Sequence, residues 1–183
     1  MPPETRATVQ IGQYQFVTYI TEEQIRHRVA ELGARLNHDY AGRTPLMLVI
    51  LNGAFMFAAD LIRELTMAPE IEFVRISTYG DSMTSSENAQ VLLGLEIEVD
   101  GRDVIIVEDI VDTGYTTQYL QEYLEQQGPA SVRLVTLLFK PDNFKGGTPP
   151  DYVGFDIPPA FVVGYGLDYA QRGRELRCIY QQV

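Results

Sequence analysis

Residues 104–117 read VIIVEDIVDTGYTT. Val104, Ile105, Ile106 and Val107 form a short, wholly apolar run, the composition of a strand buried on both faces of a parallel sheet. Glu108 and Asp109 stop the run, and an α/β sheet places such a stop at the carboxyl edge, where its ligands sit. Asp112, Thr113, Gly114, Tyr115, Thr116 and Thr117 then form a turn that opens a helix predicted over residues 115–127, with Gly128-Pro129 as its stop. A glycine and small hydroxyl residues at a helix N-terminus present free N–H groups, which make a phosphate cradle. Two adjacent acids ahead of that cradle would repel a phosphate unless something lay between them. A ribose whose two hydroxyls meet the acids, with its 5′-phosphate in the cradle, fits this charge pattern. A plainer account also fits the acids: a strand end, two solvated carboxylates and a helix cap. The P-loop spacing of Gly, four residues, then Gly-Lys-Ser/Thr is absent, which disfavours an ordinary ATPase.

Working outward, residues 46–51 (LMLVIL) form a second apolar run after the breaker Gly42-Arg43-Thr44-Pro45. Asn52-Gly53 ends it, and residues 54–65 have helical composition. Residues 71–78 and 132–139 read as further strands, and residues 9–19 alternate in polarity as one early strand. Thr21-Glu22-Glu23-Gln24 reads as a capping box, after which Ile25, Val29, Leu32 and Leu36 share one helical face. Shorter β-rich pieces are predicted at residues 152–155, 161–165 and 176–180. Apolar strands alternating with helices imply an α/β fold with a parallel-sheet core flanked by helices. The terminal segments are expected to add a small β-rich hood to one domain spanning residues 1–183.

Composition narrows the function classes. The 183 residues are 45% hydrophobic and 21% charged, which is ordinary globular composition. A net charge of -11, with 14 basic residues against 25 acidic, leaves little material for the basic face that a general nucleic-acid binder needs. Cys178 is alone, so neither an internal disulfide nor a cysteine-based metal site is expected. Met1-Pro2-Pro3-Glu4 opens no basic segment leading into an apolar run, and no apolar stretch approaches the roughly 20 residues of a membrane span. The expected setting is the cytoplasm, with no membrane partner. His27 and His38 match no motif and read as structural, and Cys178 reads as a buried apolar residue of the last strand.

The string at 104–117 resembles the phosphoribosyl-diphosphate (PRPP) binding signature of the type I phosphoribosyltransferases: apolar strand, two acids, two apolar residues, Asp-Thr-Gly, then Thr. The resemblance continues in the family's order. Leu51-Asn52-Gly53-Ala54 looks like its diphosphate loop, and Ser77-Thr78-Tyr79-Gly80 opens a polar stretch through Asn88 that matches its mobile lid. Leu138-Phe139-Lys140 matches the strand end bearing a purine-contacting lysine. YVGFDIPPAFVVGYGLDYAQRGREL at residues 152–176 matches the purine pocket of the hypoxanthine(-guanine) subgroup.

The resemblance implies transfer of 5-phosphoribosyl from PRPP to N9 of hypoxanthine, with guanine as a second substrate and diphosphate as the leaving group. Glu108 and Asp109 would hold the ribose hydroxyls, and Asp112 would handle the proton at purine N7. Asp112, Thr113, Gly114, Tyr115 and Thr116 would surround the 5′-phosphate. Leu51, Asn52, Gly53 and Arg174 would meet the diphosphate. Lys140 would donate to the 6-oxo group, Phe161 would stack on the purine, and the Val162 backbone would meet the ring edge. Asp168 would lie beside the purine and, with Glu108 and Asp109, belong to the Mg²⁺ site. Thr78 and Tyr79 would belong to the lid, and a homo-oligomer, dimer or tetramer, is expected. The chain departs from the pattern at Asn52, where lysine is common, and at Tyr115, whose backbone rather than side chain should matter. The alternatives are a phosphoribosyltransferase for xanthine or another 6-oxopurine, and a regulatory relative that uses the PRPP site as a sensor.

Overall fold

A computed structural model of the chain describes residues 7–78, 89–93 and 98–183. The chain opens with a hairpin, β1 (Thr8–Ile11) and β2 (Tyr14–Ile20), where the sequence reads as one strand. Gly12, at φ 61°, takes the left-handed conformation that a two-residue hairpin turn requires, and Ile11 pairs with Tyr14 across it. Helix α1 (Glu22–Asp39) begins at the predicted capping box: Thr21 accepts from the Gln24 N–H, and the Gln24 side chain accepts from the Thr21 N–H at 2.8 Å. Its four predicted apolar positions, Ile25, Val29, Leu32 and Leu36, are all buried. Each such burial contributes about 1.5–3 kcal/mol.

The central sheet follows. It holds β3 (Leu46–Leu51), β4 (Glu70–Thr78), β5 (Ala89–Leu93), β6 (Asp103–Val111), β7 (Ser131–Phe139) and β8 (Tyr152–Asp156), in the order β5-β4-β3-β6-β7-β8. The strands from β4 to β8 in that order are parallel, and β5 joins antiparallel at the edge. Helices α2 (Phe55–Arg63) and α3 (Tyr115–Glu125) complete the crossovers. Period-two alternation divides the core. Met47, Val49, Ile105 and Val107 pack with α1 and α2, whereas Leu46, Leu48, Val104 and Ile106 pack with Leu120 and Leu124 of α3. This is why the apolar runs are continuous: both faces of β3 and β6 are covered.

β5 was not legible in the polar stretch that precedes it. The strand at 104–107 does not stop at the acids; β6 runs through them to Val111, so Glu108 and Asp109 are strand residues, both buried. The hood is an antiparallel sheet of order β1-β2-β10-β9, with β9 (Val162–Val163) and β10 (Ile179–Gln182). These two strands are shorter than the predicted pieces, because the chain between them is spent on a series of tight turns. Cys178 lies just before β10, half-buried, rather than inside the last strand.

Candidate active site

Strand ends of the parallel sheet and one loop of the hood enclose a cavity of about 340 Å³. Its floor is the end of β6. The strand's alternation slips at the acids: Ile105, Val107 and Ile110 face the α1–α2 side, whereas Ile106 and Val111 face α3. Within that slip both carboxyl groups are drawn out of solvent. Their partners are local, the Asp109 N–H donating to Glu108 at 3.3 Å and the Ile110 N–H to Asp109 at 2.9 Å. Desolvation pushes both carboxyls above their usual range, and the charge of Asp109 pushes Glu108 further. Burial thus disfavours the charged form of both groups, and hydroxyl donors or a cation beside them would favour it. The diphosphate-loop candidate closes over it. Gly53 lies so near the Asp109 carboxylate that any side chain at 53 would occupy the same space. The neighbouring Leu51-Asn52 peptide bond is cis.

The phosphate-cradle candidate follows β6 directly. Gly114, at φ 85°, caps α3 in the left-handed conformation, and no side chain caps the helix. The first intrahelical bond is Gln118 N–H to Gly114 O at 2.9 Å, so the N–H groups of Tyr115, Thr116 and Thr117 lack helical acceptors. Thr117 is buried, its hydroxyl donating to Gly114 O at 3.0 Å. A brace behind the loop holds this shape. Lys145 and Gly146 N–H groups both donate to Thr113 O, at 3.0 and 3.2 Å, and the Phe144 ring packs against Gly114 and Phe139. The Tyr115 side chain is exposed, as expected for a residue that contributes backbone.

Asp112 stands between this cradle and the end of β7. Its Oδ2 accepts from Lys140 Nζ at 2.6 Å and its Oδ1 from Asn143 Nδ2 at 2.8 Å. Burial pushes the carboxyl up, but the hydrogen bonds from Lys140 and Asn143, with the Lys140 charge, outweigh it and hold the group below the usual carboxylate range. Lys140 itself is buried. Asn143 is a site residue that the sequence did not disclose. It lies three residues past the lysine, on the 3-10 turn Pro141–Asn143, and only the contact to Asp112 marks it.

The hood loop supplies the roof. Gly166, at φ 99°, packs its backbone onto the Gly53 carbonyl, leaving no room for a side chain. Arg174 donates to Gly166 O at 2.7 Å and pairs with Asp168 at 2.7 Å, while Asp168 also accepts from the Gln171 N–H at 2.7 Å. Tyr165 ties the same loop to α2 by donating to Asp60 at 2.7 Å. Asp168 and Arg174 line the cavity with Glu108, Asp109, Asp112, Leu51, Asn52 and Gly53. Phe161 and Val162 lie in the hood rather than in this lining. Phe161 is 45% exposed, its ring in a T-shaped arrangement with Tyr169 at 5.9 Å and tilted against Phe16 at 6.1 Å. Gln182 donates to Phe161 O at 3.0 Å. That makes Val162–Gln181 the non-hydrogen-bonded pair of the ladder and turns the Val162 backbone groups to the open sheet edge. Thr78 ends β4; Tyr79 and the rest of the expected lid through Asn88 lie outside the described residues.

Charge decides what the cavity can accept. Four carboxyl groups and one guanidinium line it, with Asn52 contributing no cation. A bare polyphosphate would meet more negative than positive charge there. Among the described residues no three potential ligands gather into a metal site. The Glu108–Asp109 pair and Asp168 are separate stations, which suits a hard cation that takes most of its oxygens from substrate and water.

The family model for the phosphoribosyl transferase domain matches residues 18–170. A hypoxanthine-guanine phosphoribosyltransferase from Bacillus subtilis (strain 168) is 45% identical over 157 residues, covering 86% of this chain and 87% of the relative. A hypoxanthine phosphoribosyltransferase from Haemophilus influenzae is 43% identical over 160 residues, covering 86% and 89%. Among solved structures, a hypoxanthine-guanine phosphoribosyltransferase from Bacillus anthracis superposes with a TM-score of 0.86 at 37% identity, over 91% of this chain and 98% of that one. The ternary substrates complex of a mutant hypoxanthine phosphoribosyltransferase from Trypanosoma cruzi gives 0.85 at 41%, over 91% and 94%. With its acid pair, its cradle and its hood in one cavity, the chain belongs to the phosphoribosyltransferase family, in the branch of the hypoxanthine(-guanine) phosphoribosyltransferases of purine salvage.

Proposed function

We propose that this chain transfers the 5-phosphoribosyl group of PRPP to N9 of hypoxanthine and guanine. The observation that carries the reading is the joining of the Glu108–Asp109 pair, the Asp112–Thr117 cradle and Asp168–Arg174 around one cavity, with Lys140 bonded to Asp112 at its side. In the reaction, the N9 lone pair forms the C1′–N9 bond as the C1′–O bond to diphosphate breaks and its electrons leave on diphosphate. The proton at purine N7 passes to Asp112, which is ionised and so an acceptor. Glu108 and Asp109 accept from the ribose hydroxyls, and their charge favours an oxocarbenium-like C1′. The 5′-phosphate lies against the free N–H groups of α3, and the diphosphate against Leu51, Asn52, Gly53 and Arg174. Phe161 stacks on the purine and Val162 meets its edge.

Glu108, Asp109 and Asp168 are the residues that would hold Mg²⁺, directly or through water, and the ion would supply positive charge to offset that of the departing diphosphate. The setting is the cytoplasm, and no described helix is long and apolar enough to cross a membrane. A homo-oligomer belongs to the same reading, since Ile71 and Phe73 of β4 and Phe55 of α2 stand exposed. Sedimentation velocity would report a monomer if that is wrong.

Base choice follows from Lys140. An ammonium suits a 6-oxo group and leaves donors unpaired against the 6-amino group of adenine, a difference of about 1–3 kcal/mol or more. Nucleotide formation from PRPP, measured with hypoxanthine, guanine, xanthine and adenine, tests the whole reading. Hypoxanthine and guanine should be converted and adenine should not. Comparable efficiency with adenine removes the role of Lys140, preference for xanthine reassigns the substrate, and no turnover with any base leaves a PRPP-binding relative.

A further inference from the structure

We propose that Asn143 is a positioning residue for the reaction: its amide holds the Asp112 carboxylate facing the cavity while Lys140 is engaged with the purine. This deepens the reading of Asp112 as the proton acceptor and rests on it. Asp112 has two anchors of different kinds. Lys140 is charged, sits 2.6 Å away, and is also assigned the 6-oxo group, so purine binding competes for its N–H donors. Asn143 is neutral, sits 2.8 Å away on the other carboxylate oxygen, and its side chain makes no other hydrogen bond among the described residues. A carboxylate accepts and cannot donate, so the Asn143 side chain must present its NH₂ group.

The scaffold behind Asn143 is built to hold that amide still. Lys140 N–H donates to Val111 O at 3.0 Å, Asn143 N–H to Lys140 O at 3.1 Å, and the Lys145 and Gly146 N–H groups to Thr113 O. The turn carrying Asn143 is thus laced on both sides to the loop carrying Asp112. The Asp112 side chain is 40% exposed, against 10% for Lys140, so its remaining lone pairs open toward the cavity. Of the charged groups around it, Lys140 acts on it directly. Asp142 and Lys145 of the same turn are exposed, and Glu108 and Asp109 are buried lower in β6. A hydrogen bond to the charged form favours ionisation, so losing the amide should make Asp112 harder to ionise and freer to turn.

The test compares Asn143→Ala, the isosteric Asn143→Leu, Asn143→Asp and Asp112→Asn, with the Asn143→Ala/Asp112→Asn double variant. Asn143→Ala should lower kcat about tenfold, the order expected for one hydrogen bond to a charged group, with KM for PRPP changed less than about twofold. The acid limb of the kcat–pH profile should move to higher pH, and further in Asn143→Asp, which adds a repelling carboxylate. In the Asp112→Asn background, removing Asn143 should lower kcat no further. A wild-type pH profile, or an equal loss with and without Asp112, overturns the inference and leaves Asn143 as part of the loop's packing. Carbon-13 NMR titration of the Asp112 carboxyl separates this from failure of the underlying reading. If Asp112→Asn keeps full turnover, the acceptor role falls. An Asp112 titration unmoved by Asn143→Ala, or by Asn143→Leu should alanine fail to fold, overturns the positioning role whatever the kinetics.

Discussion

Thr113 and Gly114 reach the cavity two and three residues past the end of β6, on a loop whose single left-handed residue is a glycine. Asp168 and Arg174 reach it from the hood, on a stretch where Gly164, Tyr165, Gly166, Ala170, Gln171 and Gly173 all have positive φ. The first half takes its shape from a buried strand running into a helix, braced where the Lys145 and Gly146 N–H groups meet Thr113 O, and it needs no strained side-chain-bearing residue. The second half places three non-glycine residues in a conformation that costs about 1–2 kcal/mol each. It persists because long-range contacts offset that cost: Tyr165 to Asp60, Arg174 to Gly166 and Asp168, and the Gly166 backbone on Gly53. The proposed proton acceptor and phosphate cradle therefore lie on the half without such strain, and the proposed enclosure on the strained half that long-range contacts hold.

Substitutions on the two halves should differ in kind. The largest effect belongs to the first: Asp112→Asn should keep PRPP affinity, read by calorimetry, and lower kcat by roughly 10²–10⁴, the usual range for losing a general acid or base. Unchanged turnover would remove the chemistry from the strand-end half.

Next comes the contact between halves. Gly166→Ala puts a methyl group into the Gly53 carbonyl at a φ that side chains avoid, and should destabilise by about 1–3 kcal/mol. Amide exchange followed by mass spectrometry should quicken in residues 164–176 and stay slow in β6 and α3. Equal quickening in both would mean that the halves fold as one unit and that the contrast is false.

A third substitution has the opposite sign. The pKa of Glu108 is raised above its unfolded value by burial and by Asp109. Folded chains thus hold a proton that unfolded chains release, and the stability from this group is full below the unfolded pKa, then lost as pH rises through the folded one. Glu108→Gln escapes that loss. Its Tm at pH 7–8 should exceed that of the parent by about 2–4 °C, with the advantage gone below about pH 4, even as activity falls. A lower Tm at pH 8 would show the acid pair to be stabilising. The smallest effect is expected from Tyr165→Phe. It removes one hydrogen bond to Asp60, which is partly solvated, and should cost about 1 kcal/mol in a denaturant titration.

Much of the architecture was legible before any coordinate. The runs at 46–51 and 104–107 announced strands covered on both sides, Thr21 to Gln24 announced the start of α1, and Asp112-Thr113-Gly114 announced a glycine turn opening a helix with free N–H groups. Each is a pattern within a dozen residues, and strand burial, helix capping and free N–H groups are properties of local chain geometry. The tertiary structure decided the rest. That Glu108 and Asp109 are buried strand residues rather than a solvated stop depends on Gly53 and the hood lying over them. That Asn143 bonds Asp112, 31 positions away, depends on β6 and β7 being neighbours in the sheet. That a loop with six left-handed residues forms a roof depends on Asp60 and Gly53. No local propensity encodes these facts, because a neutral amide, a short turn and an acidic pair acquire their roles only from what the fold sets against them.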